Sequence, residues 1–301
     1  MNLKHAICLV LLLLSRGLTA EDTYKIKLDR PAKKGEKYCL EVNLTNINTF
    51  RVTEGGKVTK NTEDKEEYHL KANVTVLESD QEKQTSTIKL DIHSFTHKKP
   101  QFNEDYEFLK KGVSVILKKT DNKTTSTIDN IPLDDRTASA LNELMSKDKT
   151  SVQDEVVFGT AQEKKIGDTW EINKKAAIAD LTKKGATLNE EDLNGSVTLV
   201  KKVPLNGIET LLIKAEVSTD NLMVPAIKKY PPGTNIEASQ LRAGFSGHFP
   251  VDLTIPRQTY KFEMSGFFDI VIPENDSALH LKIKMMHRKD LRKSEFKELR
   301  P

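Results

Sequence analysis

Cysteine is nearly missing from this chain. There are two in 301 residues, Cys8 and Cys39, and the first lies in an apolar stretch near the start that reads as a removable leader. That leaves Cys39 alone, which excludes an intramolecular disulfide in the oxidising compartment to which such a leader would send the protein. Stability must come from packing. A charge excess is missing too. Without residues 1–20, which carry Lys4 and Arg16 and no acid, 45 bases face 44 acids, and the lysines are interleaved with acids almost throughout. Nucleic-acid binders show a basic stripe or a strongly positive domain, so a nucleic-acid partner is not expected. Long hydrophobic runs are absent beyond Ala6–Leu14, far short of the roughly 20 residues that span a bilayer as a helix. No glycine-rich phosphate loop occurs.

What is present begins with those first residues. Lys4 and His5 precede the apolar run, which ends at Ser15-Arg16 and leads into Leu18-Thr19-Ala20. This is the pattern of a secretory signal peptide over residues 1–20, although Leu18 stands where a small residue is usual. A lipid anchor would require a cysteine after the cleavage site, where Glu21 stands. The expected location is periplasmic or extracellular, with no transmembrane segment.

The rest alternates. Tyr38, Leu40, Val42 and Leu44 share one face of an extended segment, and Cys39, Glu41, Asn43 and Thr45 share the other. Leu70 to Val76, Ile88 to Ile92, Val197 with Leu199, Ile270 with Ile272, and Leu279 to Ile283 repeat this period of two, the mark of half-buried strands. Gly55-Gly56 and Asn206-Gly207 suit tight hairpins. Helices are few: one over Pro132 to Met145 with Asp134 as N-cap, and one from near Asn173 to just before Gly185.

Three echoes recur in order along the chain. Gly35-Glu36-Lys37-Tyr38 answers Gly167-Asp168-Thr169-Trp170, Val74 to Ile92 answers Val197 to Ala215, and Tyr106, Phe108 and Gly112 answer Tyr260, Phe262 and Gly266. They predict an internal duplication, with a first β-rich half over 21–150 and a second over 151–301 that ends in a charged tail, Arg288 to Arg300, read as a solvated terminal helix. The fold class expected is mainly β, a β-rich α+β arrangement of two tandem, similar, curved antiparallel sheets with a few short covering helices.

The signal peptide, the Gly167-Asp168-Thr169-Trp170 segment, the long hairpins and the Tyr260-x-Phe262-x3-Gly266 strand resemble a group of uncharacterised exported bacterial β-rich proteins. Their sheets are similar in outline to the half-barrels of periplasmic lipoprotein carriers. The resemblance implies a concave apolar surface for a lipid or another apolar partner, with no catalytic residues to transfer.

Chemistry-bearing motifs are weak. His93 and His97 would share a helical face and suit a metal, but their flanks read as a strand, where four residues span about 13 Å; they are expected at the surface. Cys39, on the polar face of its strand, lacks any nucleophile signature. Gly244-Phe245-Ser246-Gly247-His248 is not a complete nucleophile elbow, and Ser86-x-x-Lys89 and Ser294-x-x-Lys297 are chance patterns. Acid clusters at Asp134-Asp135, Glu104-Asp105 and Glu190-Glu191-Asp192 read as caps and solvating charge. Five N-x-[ST] sequons begin at Asn43, Asn73, Asn122, Asn194 and Asn275 and matter only in a eukaryotic secretory pathway. No catalytic residue, metal site or cofactor is assigned.

Aromatics carry what functional colour there is. Trp170 falls in a strand, whereas Tyr230, Phe245 and Phe249 lie in a proline- and glycine-containing stretch, 230–250, expected to form a rim or lid loop. Trp170, Tyr230, Phe245 and Phe249 are the expected ligand contacts. The function expected is an exported non-enzymatic binding or envelope-associated protein, holding an apolar or lipid-like ligand between sheet and helix. The alternatives are a secreted hydrolase whose carboxylates converge only in three dimensions, and a structural module whose sheet edges pair with an envelope protein or another partner.

Overall fold

The computed structural model describes residues 22–30, 33–80, 85–120, 124–145, 154–183, 185–222, 231–273 and 278–296. Residues 1–20, the expected leader, and Tyr230 lie outside the described residues. The chain is mainly β: strands β1 (Lys37–Glu54), β2 (Lys57–Asp80), β3 (Thr85–Lys99), β4 (Glu104–Leu109), β5 (Ser114–Lys119), β6 (Thr124–Ile128) and β7 (Ile131–Pro132) precede three helices, α1 (Asp135–Met145), α2 (Asp154–Phe158) and α3 (Lys174–Lys183). Strand β8 (Thr169–Glu171) lies between α2 and α3, and β9 (Asn194–Leu205), β10 (Ile208–Thr219), β11 (Asn235–Pro250), β12 (Thr259–Pro273) and β13 (Ala278–Ser294) follow.

The two expected sheets are joined into one. The strand order is β7-β6-β5-β3-β2-β1-β13-β12-β11-β10-β9-β8, with β4 paired to β3. At its centre the first strand meets the last, antiparallel from Cys39 opposite Ser294 to Glu54 opposite Leu279. The charged stretch expected as a terminal helix is, through Ser294, the end of this central strand. Its alternation explains the difference: Lys289, Leu291 and Lys293 stand on one face and Asp290, Arg292 and Ser294 on the other, a period of two hidden by the high charge.

Two hydrophobic clusters form on one face. The first gathers Leu40, Val42, Leu44, Leu70, Leu90, Ile92 and Phe95 beneath Leu141 and Leu144 of α1. The second gathers Leu193, Val197, Leu211, Ile213, Phe245 and Phe249 with Val157 of α2 and Ala177 of α3. Helix α1 is capped as expected, Asp134 Oδ1 accepting from the Thr137 amide at 2.9 Å, and α3 is capped by Asn173 Oδ1, which accepts from the Ala176 amide at 3.1 Å. Helix α2, only five residues long, had no sequence signal of its own.

Turn chemistry follows the sequence closely. Gly55-Gly56 and Asn206-Gly207 have positive φ at both positions, as hairpins of right-handed twist require. The first echo is a turn that recurs three times. The amides of Glu36, Val113 and Asp168 each donate to the carbonyl three residues earlier, on Lys33, Lys110 and Lys165, around Gly35, Gly112 and Gly167 at φ +84°, +91° and +93°. Each of these glycines also donates to a neighbouring strand, at Val76, Ile92 and Leu199. The last echo places its glycines differently: Gly112 is in such a turn and Gly266 lies mid-strand in β12.

Candidate functional site

Opposite the two clusters, the other face of the sheet carries a groove of about 550 Å³ across β1, β13, β12 and β11. Register builds it from two cross-strand rows. One row runs Ile47, Met286, Ser265, Arg242, and the next runs Thr49, Lys284, Phe267, Gln240. Directly opposed side chains in adjacent strands lie about 5 Å apart, so each row is a continuous contact line. The floor holds Ile47, Phe267 and Met286, with Met285 and Gly266 also lining the groove, and Arg242 and Lys284 are its cations. Beyond one end, Arg288 Nε is bound to Glu263 Oε1 at 2.7 Å. Beyond the other, Lys282 Nζ is 3.0 Å from Asp269 Oδ2. In this second region Glu237, Asp269 and His280 bring one ligand atom each to within 4.8 Å of one another.

On the clustered face, a half-buried basic seam separates the two cores. Lys293 Nζ sits 3.9 Å from the centre of the Tyr38 ring, Arg257 4.0 Å from that of Tyr260, and Lys289 Nζ donates to the Glu143 carbonyl at 3.2 Å. Burial pulls both ammonium groups down to about 8, with Arg257 adding repulsion and acids opposing it. Burial pushes the Tyr38 and Tyr260 phenols above their ordinary range.

A smaller pocket of about 220 Å³ lies under α1, lined by Tyr68, His97, Phe108, Arg136 and Glu143. His97 is 5% exposed, contrary to the surface position expected of it, because β3 is irregular between its pairings with Ala72 and Lys71 and turns the imidazole inward onto Tyr68, 4.4 Å between ring centres. Its Nε2 has no hydrogen-bond partner and is 3.9 Å from Glu66 Oε1. Burial keeps its pKa below the ordinary value, against the pull of Glu66.

Three of the four expected ligand contacts are among the described residues and lie apart from the groove. Trp170, Phe245 and Phe249 all belong to the second cluster, on the opposite face from the groove. Trp170 Nε1 donates to the Phe158 carbonyl at 2.9 Å, Phe245 meets Phe158 edge-on at 5.0 Å, and Phe249 is 1% exposed. The expected rim loop is strand β11 from Asn235 onward. Its glycines mark close backbone approach rather than a flexible lid: a Cβ on Gly244 would stand 2.8 Å from the Ala215 carbonyl oxygen. Cys39 is buried. So is Asn73 at 1% exposure, which removes that sequon as an acceptor in the folded chain.

Among the described residues Glu237 and Asp269 are a converging carboxylate pair, beside His280, while the acid clusters named in the sequence are engaged elsewhere. The carboxylates with a resolved shift, Glu66, Asp91, Asp134, Asp252 and Glu263, all lie below their ordinary values, the reverse of a general acid. Asp134 is a helix cap, Asp105 pairs with Lys98, and Asp192 accepts from Asn189 and Asn221. The strands at the two ends of the sheet, β7 and β8, are two and three residues long, and such short edges are poor templates for a partner strand.

No helix among the described residues is long and apolar enough to cross a membrane. The groove residues lay beyond sequence reasoning because Ile47, Arg242, Phe267 and Met286 meet only through register. No family model matches the chain, and no curated protein matches it. Among solved structures it is similar in loose outline to the lipovitellin of a study of lipid–protein interactions, at 9% identity and TM-score 0.38, over 89% of this chain and 26% of that one. It thus spans about a quarter of lipovitellin. OpdQ of Pseudomonas aeruginosa (7% identity, 85% and 98% covered, TM-score 0.27) and a LolA superfamily protein of Nitrosomonas europaea (8% identity, 90% and 90%, TM-score 0.14) are also similar at this level.

Proposed function

We propose that the chain is an exported, non-enzymatic binding protein for a single-chain amphiphile with an anionic head, held in the outer groove. The observation that carries this reading is the pair of cross-strand rows, which sets Ile47, Phe267 and Met286 beside Arg242 and Lys284. An apolar floor next to two exposed cations, Lys284 and Arg242, the latter 3.3 Å from Asp220, complements an acyl chain ending in a carboxylate or phosphate that would take Arg242 from Asp220, and the volume lies in the range of small-molecule sites. Export rests on the leader-like start of the sequence. The site differs from the space between sheet and helix that the sequence suggests, where Trp170, Phe245 and Phe249 are closely packed.

The chain's one tryptophan separates the two locations, because β8 is three strands away from β11 in the sheet. Titration with cis-parinaric acid should give saturable fluorescence at one probe per chain, reversed by palmitate, and titration with palmitate alone, which does not absorb tryptophan emission, should leave Trp170 emission unchanged. Phe267→Asp should weaken probe binding at least tenfold while circular dichroism stays as in the parent. Absence of saturable binding would overturn the reading. Binding that shifts Trp170 emission and ignores Phe267→Asp would overturn the groove and place the ligand under α2 and α3.

A further inference from the structure

Beside the groove, on the next two cross-strand rows of the same face, we propose a divalent transition-metal site formed by Glu237, Asp269 and His280. Three adjacent strands supply the donors. Asp269 on β12 stands opposite Lys282 of β13, and His280 is two residues along β13 on the same face, opposite Val271. Glu237 comes from β11 at the point where register slips: Ile236 pairs with Ile270 and Ala238 with Asp269, leaving Glu237 as the extra residue of a bulge. Bulges of this kind re-aim a side chain and recur beside functional sites. Their ligand atoms lie within 4.8 Å of one another, close enough for one ion to replace the gap with bonds of about 2.0–2.2 Å.

Asp269 gives the second, independent indication. The residue is 9% exposed and its side chain 13%. One oxygen takes the Lys282 ammonium at 3.0 Å, while Oδ1 is buried and has no hydrogen-bond partner. A buried carboxylate oxygen left without a donor is costly, and a cation is the partner that would satisfy it. Two carboxylates with one imidazole favour Zn²⁺, Co²⁺ or Mn²⁺ over Ca²⁺ and Mg²⁺, which prefer oxygen alone. Glu237 is exposed, so a three-ligand ion would keep one position open to water on that side. The site stands or falls independently of the amphiphile.

Co²⁺ titration of the metal-stripped full chain, followed by visible d–d absorption and by competition with Zn²⁺, tests it. One ion per chain is expected, weakened at least tenfold in His280→Ala and in Asp269→Asn. Lys282→Ala should bind more tightly, because its ammonium competes for Asp269. Zn²⁺ should also raise the melting temperature of the parent and not that of His280→Ala, a readout that needs no spectroscopic band. No saturable uptake, or uptake at the same affinity in a folded His280→Ala, would overturn the proposal.

Discussion

At the scale of single residues the seam lysines decide the pH behaviour. Lys289 and Lys293 titrate near 8 in the folded chain and near 10.4 when unfolded. Between these values the unfolded state binds more protons, so stability rises with pH through this window and is lost as pH falls through about 8. Above about 10 the trend reverses, because the unfolded tyrosines ionise while Tyr38 and Tyr260 are held protonated. Thermal melts from pH 7 to 11 should therefore peak near pH 10. Lys293→Met should stabilise at pH 7, by on the order of 2 kcal/mol after allowance for partial exposure, and flatten the rise. A melt indifferent to pH between 8 and 10 would contradict the burial of these groups. The histidines add an acid limb of the same sign. His93, His97, His248 and His287 are all held low, chiefly by burial, so the stability they contribute is lost as pH falls below about 6.5.

At the scale of elements the glycine turns are the sharpest test of the backbone. Gly35, Gly112 and Gly167 sit at strongly positive φ with open space where a Cβ would go. Alanine there meets no neighbour and costs only backbone strain, about 1–2 kcal/mol each. Chemical denaturation of Gly112→Ala and Gly167→Ala should show that loss with an unchanged m-value; a neutral result would mean the turn relaxes. Strands, hairpin turns and two of the helices were legible in the sequence because each leaves a local trace: alternation, Gly-Gly or Asn-Gly, a capping Asp or Asn. The end of strand β13, from Arg288, was not, because Lys289 and Lys293 occupy core-facing positions that alternation reads as polar. The inward turn of His97 and the aim of Glu237 come from irregular pairing, and such slips leave no periodic mark. Phe245 and Phe249 were legible as aromatics in company, but not as core, since proline and glycine around them suggest a loop.

At the scale of the whole molecule, pairing between the first and last strands governs everything else. It splices two cores into one sheet, and it brings Ile47 of β1 beside Met286 of β13, so the outer groove exists only once the chain has closed on itself. Neither sequence half contains the site. Closure over such a separation is entropically slow, and the two clusters can collapse locally before the groove forms. The proposed function accordingly depends on the finished register rather than on any local motif, which is why no motif announced it. The most direct measurement is photo-crosslinking with a diazirine-bearing palmitate, mapped by peptide mass spectrometry. The account predicts adducts on the peptides that carry Phe267 and Met286, competed away by palmitate and lost in Phe267→Asp. Adducts confined to the peptides of Trp170 and Phe249 would contradict it.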